Sequence, residues 1–337
     1  MSLTDYYDIM LPAVESELQT CVNIANGADL EELHKMMAYH LGWEGEGAGP
    51  QARGKRVRPM LVLLTCAAAG GAWEKALPAA AAVELVHNFS LIHDDIQDDS
   101  PLRRSRPTIW TKWGVAQAIN AGDSMFSLAH IALQRLDASI PPVTIIEAMR
   151  VLQNACLTLT QGQYLDLAYE SRGELSLDSY WPMVSGKTAA LLAACSELGA
   201  LAAGVDDHTR ATYRQFGEFL GLAFQVHDDL LGIWGDAVLT GKSAESDLMA
   251  GKKSLPVLYA LEQKGAFAQR WNGAAVTAED VPELAAQLEA EGARQYAQDA
   301  ASRLTQQALD MLSQAKPQGA ANLALQQLTE QLITREA

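Results

Sequence analysis

The sequence predicts an all-α protein, a single bundle of about ten or more long helices around a deep central cavity. Alanine and leucine dominate a chain that is 49% hydrophobic but only 7% aromatic, and this composition favours helix over sheet. Helical periodicity recurs from end to end, with no alternating run long enough for a sheet. Several periodic segments have about 25 residues, and helices roughly 40 Å long need apolar partners along their whole extent. Polar residues on inward faces of such a bundle mark its cavity.

The predicted helices are separated by breaks rich in glycine, proline and charge. The breaks lie at 42–51, 100–108, 139–142 and 235–247. The helices are predicted over 4–25, 28–41, 54–70, 73–97, 111–137, 143–171, 176–203, 206–235, 252–263, 280–292 and 294–334. No break resembles a flexible linker and no repeat is visible, so residues 1–337 are expected to form one domain.

The charge balance limits the partners of the protein. The chain has 41 acidic and 25 basic side chains among 337 residues, a formal net charge of −16. Nucleic acids and anionic membranes call for a basic face, so neither is an expected partner. An anionic ligand must therefore meet local lysines, arginines or bound cations.

The sequence features that report on compartment predict a soluble cytoplasmic protein. The start, "MSLTDYYDIM", lacks the basic and apolar regions of a signal peptide. The most apolar long stretch, "ALPAAAAVELVHNFSLIH", is interrupted by Glu84, His87 and Asn88, so no membrane span is expected. Four scattered cysteines lack CxxC spacing and are expected to be buried free thiols: Cys21, Cys66, Cys156 and Cys195.

An acidic cluster ends the predicted helix 73–97. In "LIHDDIQDD", Asp94 and Asp98 are about 40° apart around a helix, and His87 lies on almost the same stripe. Carboxylates at a helix C-terminus are repelled by the helix dipole. This repulsion is tolerated where water solvates the helix end, or where a divalent cation such as Mg²⁺ binds the carboxylates and neutralises them.

A second acidic cluster shifts the balance towards metal binding. "FQVHDDLLGIWGD" again follows an apolar helix and repeats the "HDD" triplet 134 residues further on, at 227–229. That separation excludes one local run of charge. If the two helices face each other, the carboxylates form a two-walled site for several metal ions.

Basic and polar residues near these clusters suit diphosphate ligands. "GKRVRP" at 54–59 and "SPLRRSRPT" at 100–108 carry six cations: Lys55, Arg56, Arg58, Arg103, Arg104 and Arg106. Arginine forks and lysine charges bind phosphate groups, although either segment alone fits a solvated loop. Polar groups also interrupt apolar helices or follow the second cluster: Gln163, Asp166, Lys187, Thr188, Gln225, Lys242, Lys252 and Lys253.

Together these motifs resemble the trans-isoprenyl diphosphate synthases of the polyprenyl synthetase family, which include the farnesyl and geranylgeranyl diphosphate synthases. The resemblance runs over about 54–258 and adds "GQYLDL", "SGKTAAL" and "TGKSAESDLMAGKKSLP" in the family's order. It implies the isoprenoid synthase fold, usually as a homodimer. It also implies head-to-tail condensation of isopentenyl diphosphate with an allylic diphosphate.

The resemblance implies a role for each of the matching residues. Asp94 and Asp98 on one wall and Asp228 on the other would bind about three Mg²⁺ ions. The allylic diphosphate would be held by Arg103, Lys187 and Lys252. Isopentenyl diphosphate would be held by Lys55, Arg58, His87 and Arg104. Thr188 and Gln225 would line the carbocation and its pyrophosphate, and Lys242 would belong to a lid.

Two positions bear on how closely the chain follows the family. The common second motif is DDxxD, but here Gly232 replaces the third aspartate, which puts metal binding on that wall in question; Asp236 lies one turn further. Phe89, five residues before the first aspartate, with Ser90 beside it, is the family's chain-length position. An aromatic residue there implies geranylgeranyl diphosphate as product, with farnesyl diphosphate as the alternative.

Two other functions share part of the pattern. A class I terpene cyclase has the first acidic motif but lacks "GKRVRP" and carries an Asn/Ser/Glu metal motif, which "VHDDLLGIW" does not match. A non-catalytic subunit of a heteromeric synthase fits Gly232, but such subunits usually lose the first motif.

Overall fold

The chain folds into helices that form two compact units in a computed structural model. The structure describes residues 1–138, 140–170, 172, 175–235, 246–271 and 276–334. Unit 1 comprises Met1–Asn154, Ala194–Tyr213 and Ala315–Gln327; unit 2 comprises Ala155–Ala193, Arg214–Gln314 and Leu328–Ala337. One domain over residues 1–337 stays a prediction.

Unit 1 contains the first acidic cluster and both basic segments. Its elements are α1 (Leu3–Asn23), α2 (Glu31–His40), α3 (Pro50–Arg53), α4 (Val57–Ala68), a 3₁₀ turn (Trp73–Ala76), α5 (Leu77–Gln97), β1 (Leu102–Arg103), β2 (Arg106–Pro107), α6 (Ile109–Trp113), α7 (Val115–Gln134) and a second 3₁₀ turn (Arg135–Ala138). Helices α8 (Pro142–Glu170), α10 (Ala190–Ala203), α11 (Asp207–Trp234) and α17 (Gly319–Thr334) contribute residues to both units.

Helix α5 forms the centre of unit 1, packed against α1, α4 and α7. Residues 79–86 of this helix are all buried, including the four alanines Ala79, Ala80, Ala81 and Ala82. A helix that is apolar all round belongs inside a core, and small side chains let neighbouring helices approach closely. The core thereby fixes the position of the acidic turn at the other end of α5.

Unit 2 contains the second acidic cluster. Its remaining elements are a 3₁₀ turn (Leu177–Ser179), α9 (Tyr180–Val184), a π-helical segment (Ser185–Ala189), α12 (Ser246–Met249), α13 (Leu255–Gln263), α14 (Ala266–Trp271), α15 (Val281–Ala290) and α16 (Ala293–Gln314). A hydrophobic cluster that includes Ile233, Leu248 and Phe267 packs α11, α12 and α14 together.

The all-α prediction is confirmed, but several predicted helices are interrupted. The predicted helix 111–137 breaks at Gly114, whose φ of 82° is left-handed. The predicted helix 294–334 breaks where Lys316 has φ 52° and Pro317 follows, because proline cannot continue a helix. Within the loop 100–108, β1 and β2 form a two-residue antiparallel hairpin, so the small amount of strand was missed. Among the described residues, no helix is long and apolar enough to cross a bilayer.

The four cysteines are buried thiols, as predicted. Burial raises the pKa of Cys21, Cys66 and Cys195 to about 12 and that of Cys156 to about 11. Thiols of this kind stay protonated at neutral pH and do not act as nucleophiles.

Candidate active site

The first acidic cluster forms the last turn of α5. Asp98 is the C-cap residue, and its N–H donates to the Asp94 carbonyl at 2.8 Å. Asp99 then turns the chain away with φ 48°. Asp94 is half-buried and Asp98 is exposed, so the two predicted metal ligands lie on one turn with access to solvent.

Asp95, between them, points inward instead. Its side chain is only 3% exposed and accepts a hydrogen bond from Arg103 Nε at 2.8 Å. Burial raises the pKa of Asp95 to about 6, although Arg103 pulls it down. The ion pair ties the hairpin to α5 and anchors the guanidinium of Arg103, a predicted diphosphate ligand.

Of the four residues predicted to hold isopentenyl diphosphate, Arg58, His87 and Arg104 are near one another in unit 1, and Lys55 is exposed. Arg58 Nη1 lies 3.3 Å from His87 Nε2. Burial lowers the pKa of His87 well below its usual value, and Arg58 and Arg104 lower it further. The imidazole is therefore neutral and accepts from Arg58. Arg104 packs against Gly54, the residue directly before Lys55. A Cβ added at Gly54 would lie 2.7 Å from Arg104 Nη2.

Two other arginines of the basic segments are part of the scaffold. Arg56 is almost fully buried and donates to Glu15 at 2.7 Å and Glu84 at 2.8 Å. Arg106 donates to the carbonyl groups of Tyr39, Glu44 and Glu46. Neither guanidinium is available as a diphosphate ligand. The sequence could not distinguish them from Arg58 and Arg104, because their partners come from distant segments.

In unit 2, Lys187 and Thr188 lie in the π-helical segment. π-turns are short and often mark functional sites. Here the segment crosses α8 at two glycines: a Cβ on Gly186 would lie 2.7 Å from Gly162 Cα. This close approach brings Lys187 into an ion pair with Asp166, one turn further along α8.

A hydrogen-bond network fixes the residues around Thr188. Its hydroxyl donates to Gln225 Oε1 at 2.7 Å, and Gln225 Nε2 donates to Asp229 at 3.0 Å. The other Asp229 oxygen accepts from the Tyr180 hydroxyl at 2.7 Å and the Leu255 N–H at 2.9 Å. Asp229 is thus a buried structural carboxylate that orients Gln225, a role that the sequence did not reveal. Burial raises the pKa of Asp229 to about 7.

A polar cavity of about 130 Å³ in unit 2 is lined by the predicted ligands. Its walls include Lys187, Thr188, Gln225, Asp228 and Lys252. Every predicted site residue of this unit that the structure describes therefore faces the same cavity. Lys242 and Asp236 lie outside the described residues.

Lys252 is surrounded by carboxylates. Its Nζ lies 3.4 Å from Asp247 Oδ1. Burial lowers the pKa of this lysine, but Asp247, Asp166 and Asp228 outweigh that effect and raise it. Lys252 is therefore a stable cation at neutral pH, as a diphosphate ligand must be. Asp247 was not predicted, because nothing in its local sequence indicates which lysine it meets.

The donor chemistry fits Mg²⁺ bound together with a diphosphate. No group of three or more His, Cys, Asp or Glu side chains could hold a metal ion by itself among the described residues. Mg²⁺ prefers one or two carboxylates, several waters and phosphate oxygens over a cage made by protein alone. The accessible pair Asp94 and Asp98, and Asp228 in unit 2, match that preference.

Comparisons with known proteins agree with the motif pattern. The polyprenyl synthetase family profile matches residues 48–288. The (2E,6E)-farnesyl diphosphate synthase of Mycobacterium bovis is 41% identical over 315 residues, covering 90% of this chain and 87% of the relative. The geranylgeranyl diphosphate synthase of Mycobacterium tuberculosis is 42% identical over 292 residues, covering 85% and 83%.

The fold agrees as well. The crystal structure of a polyprenyl synthetase from Streptomyces coelicolor matches 98% of this chain and 100% of that chain, with a TM-score of 0.89 and 36% identity. The matches in sequence and in fold both extend over most of the chain. The chain therefore belongs to the polyprenyl synthetase family.

Proposed function

We propose that this chain is a Mg²⁺-dependent prenyltransferase. It condenses isopentenyl diphosphate head-to-tail with dimethylallyl, geranyl or farnesyl diphosphate and releases pyrophosphate. The observation that carries the proposal is that unit 1 contains both the turn of Asp94 and Asp98 and the cationic cluster of Arg58, His87 and Arg104. The carboxylates suit a metal-bridged diphosphate, and the arginine forks suit one held by protein groups alone. A condensation needs two such sites, whereas a terpene cyclase needs one.

The proposed metal ligands are Asp94 and Asp98 of unit 1 and Asp228 of unit 2, for about three Mg²⁺ ions. When bound, Mg²⁺ supplies positive charge that stabilises the departing pyrophosphate, so the allylic C–O bond can ionise.

The protein cations complete the neutralisation of the allylic diphosphate. Lys187 and Lys252 each pair with a carboxylate in this structure, and Arg103 is anchored by Asp95. These pairs hold the three side chains in place before substrate arrives, which lowers the cost of ordering them on binding.

The carbon chemistry follows from ionisation. The isopentenyl double bond attacks the allylic cation, and the proton lost from the adduct passes to the released pyrophosphate. The amide of Gln225 is held on both sides, by Thr188 and Asp229, so its dipole keeps one orientation beside the cavity. Water must be excluded, because it would quench the cation.

The activity is tested by incubating the purified protein with Mg²⁺, labelled isopentenyl diphosphate and each allylic primer. We expect labelled prenyl diphosphates, and no extractable product with any primer would refute the proposal. A cyclic hydrocarbon from the allylic substrate alone would identify a cyclase. The matched variants Asp98→Asn and Asp99→Asn each remove one negative charge, but only Asp98 is a proposed metal ligand. We expect about a hundredfold loss of rate for Asp98→Asn and little change for Asp99→Asn.

We propose geranylgeranyl diphosphate as the main product. Phe89 on α5 packs edge-on against His93, with ring centroids 5.0 Å apart, and against Phe126 at the same distance. Ser90 donates to the His87 carbonyl at 2.8 Å, so its hydroxyl is already engaged. Replacing Phe89 by alanine removes the large ring and should lengthen the product beyond that of the wild type. An unchanged product, sized by chromatography, would contradict this role, and a wild-type product of fifteen carbons would favour the farnesyl alternative.

We also propose a cytoplasmic homodimer. Val115 and Ile119, four residues and about 40° apart on α7, expose large apolar side chains at 46% and 42%. An apolar face of this kind suits contact with a second copy. We expect Ile119→Glu to convert a dimer to a monomer in light-scattering measurements. The matched control Ile9→Glu, at an exposed position of α1, should leave the molar mass unchanged.

A further inference from the structure

The second acidic motif lacks its third carboxylate in sequence. Helix α11 continues through Gly232 to Trp234, so residue 232 lies four residues and about 40° from Asp228. A side chain at 232 would therefore lie on nearly the same face of α11 as Asp228. Glycine leaves this position open.

The carboxylate of Asp247 fills that position. A Cβ on residue 232 would lie 2.8 Å from Asp247 Cγ, 3.4 Å from its Cβ and closer still to its Oδ2. The side chain of Asp247 is 17% exposed, so its placement is defined by packing. Only glycine at 232 leaves room for this arrangement.

The neighbouring residues keep Asp247 there. Leu248 is fully buried and belongs to the same hydrophobic cluster as Ile233, which follows Gly232 on α11. The Lys252 N–H donates to the Asp247 carbonyl at 3.0 Å and closes the turn after α12. The core and the turn thus hold α12 against the second acidic motif.

Asp247 shares its surroundings with two residues that are proposed to bind Mg²⁺ or diphosphate, namely Asp228 and Lys252. Asp247, Asp228 and Lys252 line the same cavity, and Asp247 Oδ1 lies 3.4 Å from Lys252 Nζ. Asp247 therefore borders a cavity that a proposed metal ligand and a proposed diphosphate ligand also line.

We propose that Asp247 supplies the carboxylate that Gly232 lacks and, with Asp228, supports Mg²⁺ and its diphosphate in unit 2. This inference rests on the proposed function and deepens it. In this arrangement the second motif is completed through space by a residue fifteen positions later in the chain.

The test measures Mg²⁺ binding in the presence of inorganic pyrophosphate, by calorimetry and by thermal stabilisation. We expect Asp247→Ala to raise the half-saturating Mg²⁺ concentration about tenfold. Gly232→Asp alone should also weaken binding, because its Cβ would collide with Asp247. The double variant G232D/D247A moves the carboxylate back to α11 and should restore binding to within about threefold of wild type. The matched control is Asp310→Ala, an exposed carboxylate of α16.

Two results would overturn the inference. One is an unchanged Mg²⁺ titration for Asp247→Ala. The other is that Lys252→Met alone gives the same tenfold shift and that adding Asp247→Ala to it gives no further shift. Asp247 would then act only by holding Lys252 in place. If the wild type neither binds Mg²⁺ with pyrophosphate nor condenses substrates, the proposed function itself fails.

Discussion

Replacing Gly186 by alanine should damage stability and catalysis together. The added Cβ would lie 2.7 Å from Gly162 Cα, 2.7 Å from the Thr158 oxygen and 2.8 Å from Gly162 N. All three are backbone atoms, which cannot rotate away as a flexible side chain can. Ordinary contacts begin near 3.4 Å, so the π-helical segment and α8 must separate by about 0.7 Å.

The magnitude follows from that displacement. Overpacking of this kind costs about 1–3 kcal/mol, and the better helix propensity of alanine offsets up to about 1 kcal/mol. We expect a net loss of about 1–2 kcal/mol. Lys187 and Thr188 follow Gly186 directly, and a shift approaching 1 Å in positioning groups lowers rates by about tenfold to a hundredfold.

The assay compares melting temperature and condensation rate with those of a matched control. Gly27→Ala is that control, because its Cβ would meet only Leu30 Cδ1, at 3.7 Å, and its backbone is not left-handed. We expect the control to behave as wild type, and Gly186→Ala to melt a few degrees lower and to turn over slowly. Wild-type rate and melting temperature for Gly186→Ala would refute the argument that the two-glycine crossing positions Lys187.

Three further predictions concern the scaffold. Arg56→Met should lower the free energy of unfolding by about 3–5 kcal/mol, measured by urea denaturation, because it leaves Glu84 buried without its charged partner; a loss below about 1 kcal/mol would contradict this. Burial and the charges of Arg103, Arg104, Arg56 and Arg106 lower the pKa of His40 well below 6.5. The unfolded chain therefore binds a proton below pH 6.5 that the folded chain does not, so stability falls with falling pH. His40→Asn should make this dependence shallower by up to about 1.4 kcal/mol per pH unit, and an identical slope would exclude His40 as its source. Tyr180→Phe should cost about 1–3 kcal/mol, because the buried Asp229 loses a donor; an unchanged urea midpoint would show that another donor replaces it.

The sequence predicted most of the long helices because their apolar periodicity is local information. Helix α5 ends at Gln97, as expected, and α11 ends within one residue of its predicted end. The breaks at Gly114 and Lys316 were missed because a left-handed φ depends on how the chain packs on either side. The hairpin in the loop 100–108 was missed because two-residue strands have no periodicity.

The roles of the candidate site residues stay predictions, but their placement on the helices followed from local sequence. Asp94, Asp228, Lys187 and Gln225 lie where motif spacing suggested, on turns that face cavities or solvent. Pairings across the chain were not predictable. Whether a basic residue such as Arg56 is a ligand or a scaffold depends on Glu15 and Glu84, and no spacing rule connects them.

In the π-helical segment Ser185–Ala189, the number of residues matters as much as their identity. A π turn holds one residue more than an α turn, so the segment accommodates one extra residue between α9 and α10. Losing one residue from it would let the chain run as a regular α-helix and would turn the side chains within the segment, Lys187 and Thr188 among them, towards other faces, while the helices before and after it keep nearly their present phase. Substitutions here change individual contacts, whereas a one-residue deletion would change which side chains face the cavity. Relatives that differ freely in composition along this stretch are therefore expected to share its length.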